Sequence, residues 1–139
     1  MPREIAVSGR RLPIPAADVH GIVAGVLEGE DQSATVSVTF LGPERMRRLN
    51  QEYKNQDRPT DVLAFPLPDP SGQLLGDIYI CQWVARREAK ARGIPLREEI
   101  TRLVIHGTLH VLGYDHPQGE GRTTSEMWHR QEDYVRALT

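Results

Sequence analysis

The sequence predicts an α+β domain, with an α/β-like order of elements, in which about five helices pack against a small mixed sheet of four strands. Strand-like and helix-like segments follow one another along the chain, turn signals separate them, and no repeat or linker interrupts the series. With 139 residues the chain is long enough to bury a core. We therefore expect a single domain over residues 1–139.

The N-terminal half alternates between strand and helix. Residues 3–8 predict a short edge strand, and residues 16–27 carry apolar side chains at helical spacing. Alternating, β-branched residues at 34–41 predict a second strand. Pro43 suits the first turn of a helix that reaches about Asn55. This half therefore contributes two strands and two helices.

The C-terminal half begins with a loop at 56–61 and a predicted hairpin. Strand 62–65 is ended by Pro66, and strand 74–81 follows a turn rich in Pro, Asp and Gly. Three helices come next, each bounded by residues suited to helix ends. They run over residues 82–92, from Pro95 to Gly113, and from Thr123 or Thr124 onward.

Composition points to a cytoplasmic protein without a membrane partner. No apolar run approaches the ~20 residues that span a membrane, and the N-terminus has no signal-peptide apolar region. The single cysteine, Cys81, excludes an internal disulfide and fits a reducing compartment, where we expect it to fill space within a strand. The net charge of −2 does not by itself indicate nucleic-acid binding.

The strongest functional signal is the segment from His106 to His116, which has histidines at three positions. His106 and His110 lie one turn apart on the predicted helix and share a face. Gly113 can end that helix and let the chain turn, so that His116 reaches the same point. Three imidazoles suit Zn²⁺ and leave the fourth tetrahedral position for water. The sequence therefore predicts one catalytic Zn²⁺ in a cleft.

This spacing resembles the zinc motif of metzincin proteases, with one difference. Those enzymes have Glu directly after the first histidine as the general base, whereas this chain has Gly107, which has no side chain. A peptidase is therefore disfavoured. The two other histidines, His20 and His129, have no such neighbours; we interpret His20 as a surface residue and His129 as either a surface residue or a group that supports a metal ligand from outside.

Three segments in order along the chain carry a resemblance to a known family. They are Asn-Gln-Glu-Tyr-Lys-Asn-Gln-Asp-Arg-Pro-Thr-Asp-Val-Leu-Ala-Phe-Pro at 50–66, Leu-Gly-Asp-Ile-Tyr-Ile at 75–80, and the histidine segment 106–116. The chain resembles the YbeY family of metal-dependent endoribonucleases over most of its length. The resemblance implies that the three histidines bind zinc and that a cleft lies between them and residues 50–61.

The resemblance also implies an activity and its partners. The implied activity is that of a zinc-dependent endoribonuclease directed at single strands, in which a metal-activated water attacks a phosphodiester. The implied processes are ribosomal RNA processing and ribosome quality control. Ribosomal RNA precursors are the implied substrate, with the ribosomal subunit or its proteins as further partners and no DNA.

Two positively charged side chains, those of Lys54 and Arg58, are expected to bind a phosphate of the substrate. The family pattern usually has Arg where this chain has Lys54, which we assign catalytic and substrate-binding roles. Both side chains can hold a phosphate, but only Arg offers a planar, bidentate fork. Arg58, four positions later, is expected to support substrate binding.

Four further residues each have two interpretations. Asp115, which we include among the catalytic residues, either orients an imidazole or accepts a proton, or instead bonds to the backbone in a turn. Thr60 and Asp61 either line the cleft or cap the turn before strand 62–65. Tyr114 either packs in the core or stacks on a base.

Two other functions remain open. The first is a non-catalytic ribosome-assembly or RNA-binding factor with a structural metal, in which Asp115 or His129 supplies a fourth ligand. The second is a metal-dependent hydrolase of another substrate. A zinc deaminase is disfavoured because its Pro-Cys-x-x-Cys element is absent from the sequence.

Overall fold

A computed structural model describes residues 3–115 and 125–139. The elements in these residues are β1 (Glu4–Ser8), α1 (Ala16–Gly29), β2 (Ala34–Leu41), α2 (Pro43–Lys54), β3 (Val62–Leu67), β4 (Leu74–Cys81), α3 (Gln82–Arg92), α4 (Leu96–Val111) and α5 (Glu126–Leu138). The predicted α+β fold, with four strands and five helices, is confirmed.

The four strands form one mixed sheet in the order β1-β2-β4-β3. Strands β1, β2 and β4 are parallel, and β3 runs antiparallel to β4, as the predicted hairpin requires. The edge strands are β1 and β3. Because β3 lies beside β4, the loop before β3 is held next to one of the two central strands.

Alternation along the strands sends side chains to two cores on opposite faces of the sheet. On one face, residues such as Val38 and Ile78 are fully buried together with residues of α1 and α4. On the other face, Leu41, Leu63 and Cys81 pack against Met46 of α2. Cys81 is therefore the buried apolar filler that the sequence predicts.

Two glycines allow α4 to lie very close to the sheet. A Cβ at Gly107 would stand 2.6 Å from Cγ2 of Ile78, and a Cβ at Gly76 would stand 2.3 Å from Cγ2 of Val111. Side chains at these positions would force helix and sheet apart. Because Gly107 lies over Ile78 and Val111 lies over Gly76, α4 runs antiparallel to β4 and in the same direction as β3.

One predicted boundary needs correction. Strand β3 does not stop before Pro66 but continues to Leu67, with Pro66 paired to Gly76. An edge strand tolerates proline because some of its N–H groups face no partner strand. Helix α5 begins at Glu126, and Ser125 caps it by accepting a hydrogen bond from the Trp128 N–H at 3.1 Å. The predicted starts, Thr123 and Thr124, lie outside the described residues.

None of the helices described in residues 3–115 and 125–139 has both the length and the apolar character needed to cross a membrane.

Candidate active site

Helix α4 presents His106 and His110 on one half-buried face. Their ring centroids are 4.6 Å apart, and the rings meet edge to face at 74°. Most other residues of α4 are buried, including Val104, Ile105 and Leu109 at 0% exposure. The core therefore fixes the backbone from which both imidazoles project, and the predicted shared face is confirmed.

Gly113 ends α4 as the sequence predicts. It has a φ of 103°, and its N–H donates to the His110 carbonyl at 3.0 Å while the Tyr114 N–H donates to the Leu109 carbonyl at 3.0 Å. This pair of bonds is the Schellman arrangement, which turns the chain sharply after a helix. The next predicted ligand, His116, lies outside the described residues, so its role stays a prediction.

Tyr114 is tied to the core immediately after this turn. Its hydroxyl donates to one oxygen of Glu30 at 2.6 Å, and the Tyr134 hydroxyl donates to the other at 2.5 Å. Burial raises the pKa of Glu30, but these hydroxyls and the charge of Arg130 outweigh burial and leave that pKa below its ordinary value. The contacts favour the packing interpretation of Tyr114 and join the end of α4 to α1 and α5.

Gln131 of α5 is a site residue that the sequence analysis missed. It is 3% exposed, and its Oε1 lies 2.7 Å from Nδ1 of His106. The available signal was a buried stripe at spacing four, Met127, Gln131 and Val135, in which one member is polar. No sequence pattern indicates that this amide meets a histidine 25 residues away.

Beyond Gln131, an ion pair continues the network. The Gln131 Nε2 donates to Glu132 at 3.0 Å, and Arg102 of α4 donates to both oxygens of Glu132 at 2.9 Å. Partial burial raises the pKa of Glu132, but the hydrogen bonds from Arg102 and Gln131 lower it more. Glu132 is therefore a firmly ionised acceptor between α4 and α5.

The two described histidines fit as ligands of a metal such as zinc. They are adjacent imidazoles on one helical face, and an acceptor engages Nδ1 of His106, which is the usual support for a metal-binding histidine. Within the described ranges, no group of three or more His, Cys, Asp or Glu side chains is arranged to hold a metal ion. Neither Asp115 nor His129 therefore joins the pair in such a group.

The positions of the remaining histidines and of Gly107 agree with their interpretations. His20 on α1 and His129 on α5 are exposed. Gly107 is buried against Ile78, so a glutamate there would collide with the sheet. The protease base is thus absent from a position that has no room for it.

Lys54 and Arg58 lie on a different element from the histidines. Lys54 is the exposed last residue of α2, and Asn55 follows it in the left-handed conformation with a φ of 56°. The buried Asn50 donates from Nδ2 to the Arg58 carbonyl at 2.8 Å, which folds the loop back onto the helix. The side chain of Arg58 is itself exposed and donates to Gln56 at 3.3 Å.

Thr60 and Asp61, which precede β3, make hydrogen bonds that fix the start of this strand. The carboxylate of Asp61 accepts a hydrogen bond from the Val62 N–H, and its carbonyl accepts one from the Cys81 N–H at 2.9 Å. Thr60 donates to the same carboxylate at 3.4 Å, and burial raises the pKa of Asp61. These contacts favour the capping interpretation of both residues. Asp115 is exposed at the end of the first described range.

The fold and the histidine pair define a small α+β domain with a candidate metal centre on its central helix. A family model described as Endoribonuclease YbeY matches residues 8–139. The chain therefore belongs to the YbeY endoribonuclease family.

Individual relatives agree with this assignment. A protein described as Endoribonuclease YbeY from Sulfurihydrogenibium sp. is 46% identical over 88 residues, which cover 61% of this chain and 58% of the relative. One from Chromohalobacter salexigens is 39% identical over 120 residues, or 82% of this chain and 78% of the relative. The chain thus spans less than two thirds of the first relative's length.

A solved structure shares the fold. The solution structure of TM1509 from Thermotoga maritima is similar with a TM-score of 0.70 and 29% identity, over 96% of this chain and 88% of that one. The similarity extends over nearly the whole of this chain.

Proposed function

We propose that this protein is a zinc-dependent endoribonuclease that cleaves single-stranded segments of ribosomal RNA precursors in the cytoplasm, during ribosomal RNA processing and ribosome quality control. Family membership supports the nuclease class. The observation that carries the metal part is the pair His106 and His110, whose rings stand 4.6 Å apart on the buried helix α4.

His106, His110 and His116 would hold the ion. When bound, zinc lowers the pKa of its water to about 7 and polarises a phosphoryl oxygen. The half-buried position of the two described imidazoles limits the water around them, which strengthens electrostatic interactions at the site.

Lys54 and Arg58 bind the phosphate backbone in this proposal. Lys54 lies at the C-terminus of α2, where the helix dipole favours a cation, and its exposed side chain is accessible to RNA. Its ammonium stabilises negative charge that develops on the phosphate. Asp115, three residues after the end cap of α4, either orients an imidazole or accepts the proton.

The test compares zinc content and RNA cleavage in wild type, His110→Ala and a matched control, His20→Ala. The control removes an exposed histidine from another helix. We expect one zinc per chain and cleavage of a labelled ribosomal RNA fragment in wild type and the control, and neither in His110→Ala.

Three outcomes contradict the proposal. Equal cleavage by all three proteins would identify a contaminating nuclease, and full zinc content in His110→Ala would remove this histidine from the ligands. Absence of cleavage from zinc-loaded wild type would favour a binding factor instead.

A further inference from the structure

A chain of hydrogen bonds runs from α4 through α5 and back to α4, and chemistry fixes which atom is the donor in each of its bonds. Its first member is Arg102, whose guanidinium can only donate. Two of its nitrogens lie 2.9 Å from the two oxygens of Glu132, which therefore accepts from both. Because the guanidinium can only donate and the carboxylate can only accept, the hydrogens of both bonds must belong to Arg102.

The second link fixes the amide of Gln131. Its Nε2 lies 3.0 Å from the Glu132 carboxylate, which can accept but not donate. The reversed amide would place two oxygens against each other. The oxygen Oε1 must therefore point the other way, where it lies 2.7 Å from Nδ1 of His106.

The last link fixes the histidine. An amide oxygen only accepts, so the hydrogen of this contact belongs to Nδ1 of His106. A neutral imidazole with its hydrogen on Nδ1 carries its lone pair on Nε2. We propose that Gln131 is a positioning residue, which holds His106 in the Nδ1–H tautomer with Nε2 ready to bind the metal. This inference rests on the proposed zinc site.

Burial makes this positioning effective. Gln131 is 3% exposed and Arg102 is largely covered, so water does not readily replace either partner. The histidine is consequently oriented before any metal arrives. Partners of this kind typically change metal affinity by roughly 10- to 100-fold when they are removed.

The experiment measures Zn²⁺ affinity by competition with a chelator, and thermal stability of the zinc-free protein, in three variants. Gln131→Leu removes the acceptor, whereas Gln131→Glu keeps an acceptor for His106 but sets a carboxylate beside Glu132. Val135→Ala is the matched control because it weakens the packing of α5 without touching His106.

We expect Gln131→Leu to lose roughly 10- to 100-fold in zinc affinity. Gln131→Glu should keep wild-type affinity although its zinc-free form is less stable, and Val135→Ala should lose stability but not affinity. A merely structural role would make affinity follow stability in all three variants. That result, or an unchanged affinity in Gln131→Leu, would overturn the inference.

A second readout needs no zinc. Nitrogen-15 NMR of the zinc-free protein should show a single Nδ1–H tautomer for His106 in wild type and a mixture of tautomers in Gln131→Leu. The same tautomer distribution in both proteins would overturn the inference. If wild type binds no zinc, the proposed function fails while these spectra still decide whether Gln131 sets the tautomer.

Discussion

Helix α4 supplies the metal ligands of the proposed site, and the end of α2 with the loop after it supplies the residues that bind phosphate. The two regions differ in how firmly the protein holds their side chains. On α4, His106 and His110 project from a backbone that the core holds on most sides, and Gln131 orients one ring. At the end of α2 and on the loop after it, Lys54 and Arg58 have exposed side chains, and Asn50 holds the backbone of the loop at Arg58.

The difference follows from what each part must do. A metal is bound only when its ligands stand at fixed distances and angles, so its residues belong on a packed helix. A phosphate chain is attracted by charge over several ångströms, so flexible cations on the surface suffice. Changes within α4 should therefore alter stability and zinc binding together, whereas changes at Lys54 and Arg58 should alter mainly RNA binding.

The broadest effect, on both stability and zinc binding, is expected from Gly107→Ala. The new Cβ would lie 2.6 Å from Ile78, and overpacking of this kind costs typically 1–3 kcal/mol, less about 1 kcal/mol for the better helix propensity of alanine. The helix must also shift at the residue between the two histidines. We expect lower stability in denaturant and weaker zinc binding.

Gly21→Ala is the control for this prediction. Gly21 also lies within a helix, but a Cβ there meets no atom within 4 Å. Alanine should stabilise α1 by up to about 1 kcal/mol and leave zinc binding unchanged. If Gly107→Ala matched wild type in both measurements, close packing on the sheet would not be what fixes the histidines.

The contrast between local patterns and contacts across the fold explains which features could be predicted from the sequence. Apolar periodicity together with residues suited to helix and strand ends predicted each strand and helix of the described ranges. It also placed His106 and His110 together, since residues four apart on a helix always share a face. The sequence did not show why residue 107 must be glycine, because the atom that leaves no room for a side chain there belongs to Ile78, on a strand that is distant in sequence.

Two errors have the same origin in tertiary structure. The sequence predicts a strand end at Pro66, but β3 is an edge strand that tolerates proline and continues to Leu67. Gln131 went unnoticed because its partner, His106, comes from another helix. Local patterns predict local geometry, and contacts between elements decide the rest.

A narrower effect, mainly on RNA cleavage, is expected from Lys54→Glu. The loss of one charge-assisted contact, worth about 1.5–3 kcal/mol, corresponds to at least about a tenfold loss of cleavage at subsaturating RNA. Zinc content should be unchanged because Lys54 is exposed and lies on a different element from the histidines, and stability should fall by at most about 1 kcal/mol because a glutamate at the C-terminus of α2 opposes the helix dipole. Cleavage kinetics at two salt concentrations measure the effect, since the dependence on salt should also decrease.

Lys90→Glu is the matched charge reversal, on the exposed side of α3. It should cleave RNA like wild type, and Lys54→Arg should equal or exceed wild type because the fork of arginine binds a phosphate with two hydrogen bonds. A similar loss in Lys54→Glu and Lys90→Glu would point to overall charge and would remove Lys54 from the site.

The smallest effect concerns the tie between Glu30 and Tyr114, which holds the chain just after α4. Because the pKa of Glu30 is lowered in the folded protein from 4.5, its contribution to stability is complete above that pH and disappears as pH falls through the folded-state value. Glu30→Gln should therefore reduce the stability of the zinc-free protein by about 1 kcal/mol near neutral pH, and the difference from wild type should shrink as the pH falls through the lowered pKa of Glu30. Urea unfolding of both proteins across this range measures the difference. A constant difference at every pH would mean that the carboxylate charge contributes nothing to the tie, and the end of α4 would then depend on packing alone, like the rest of the helix.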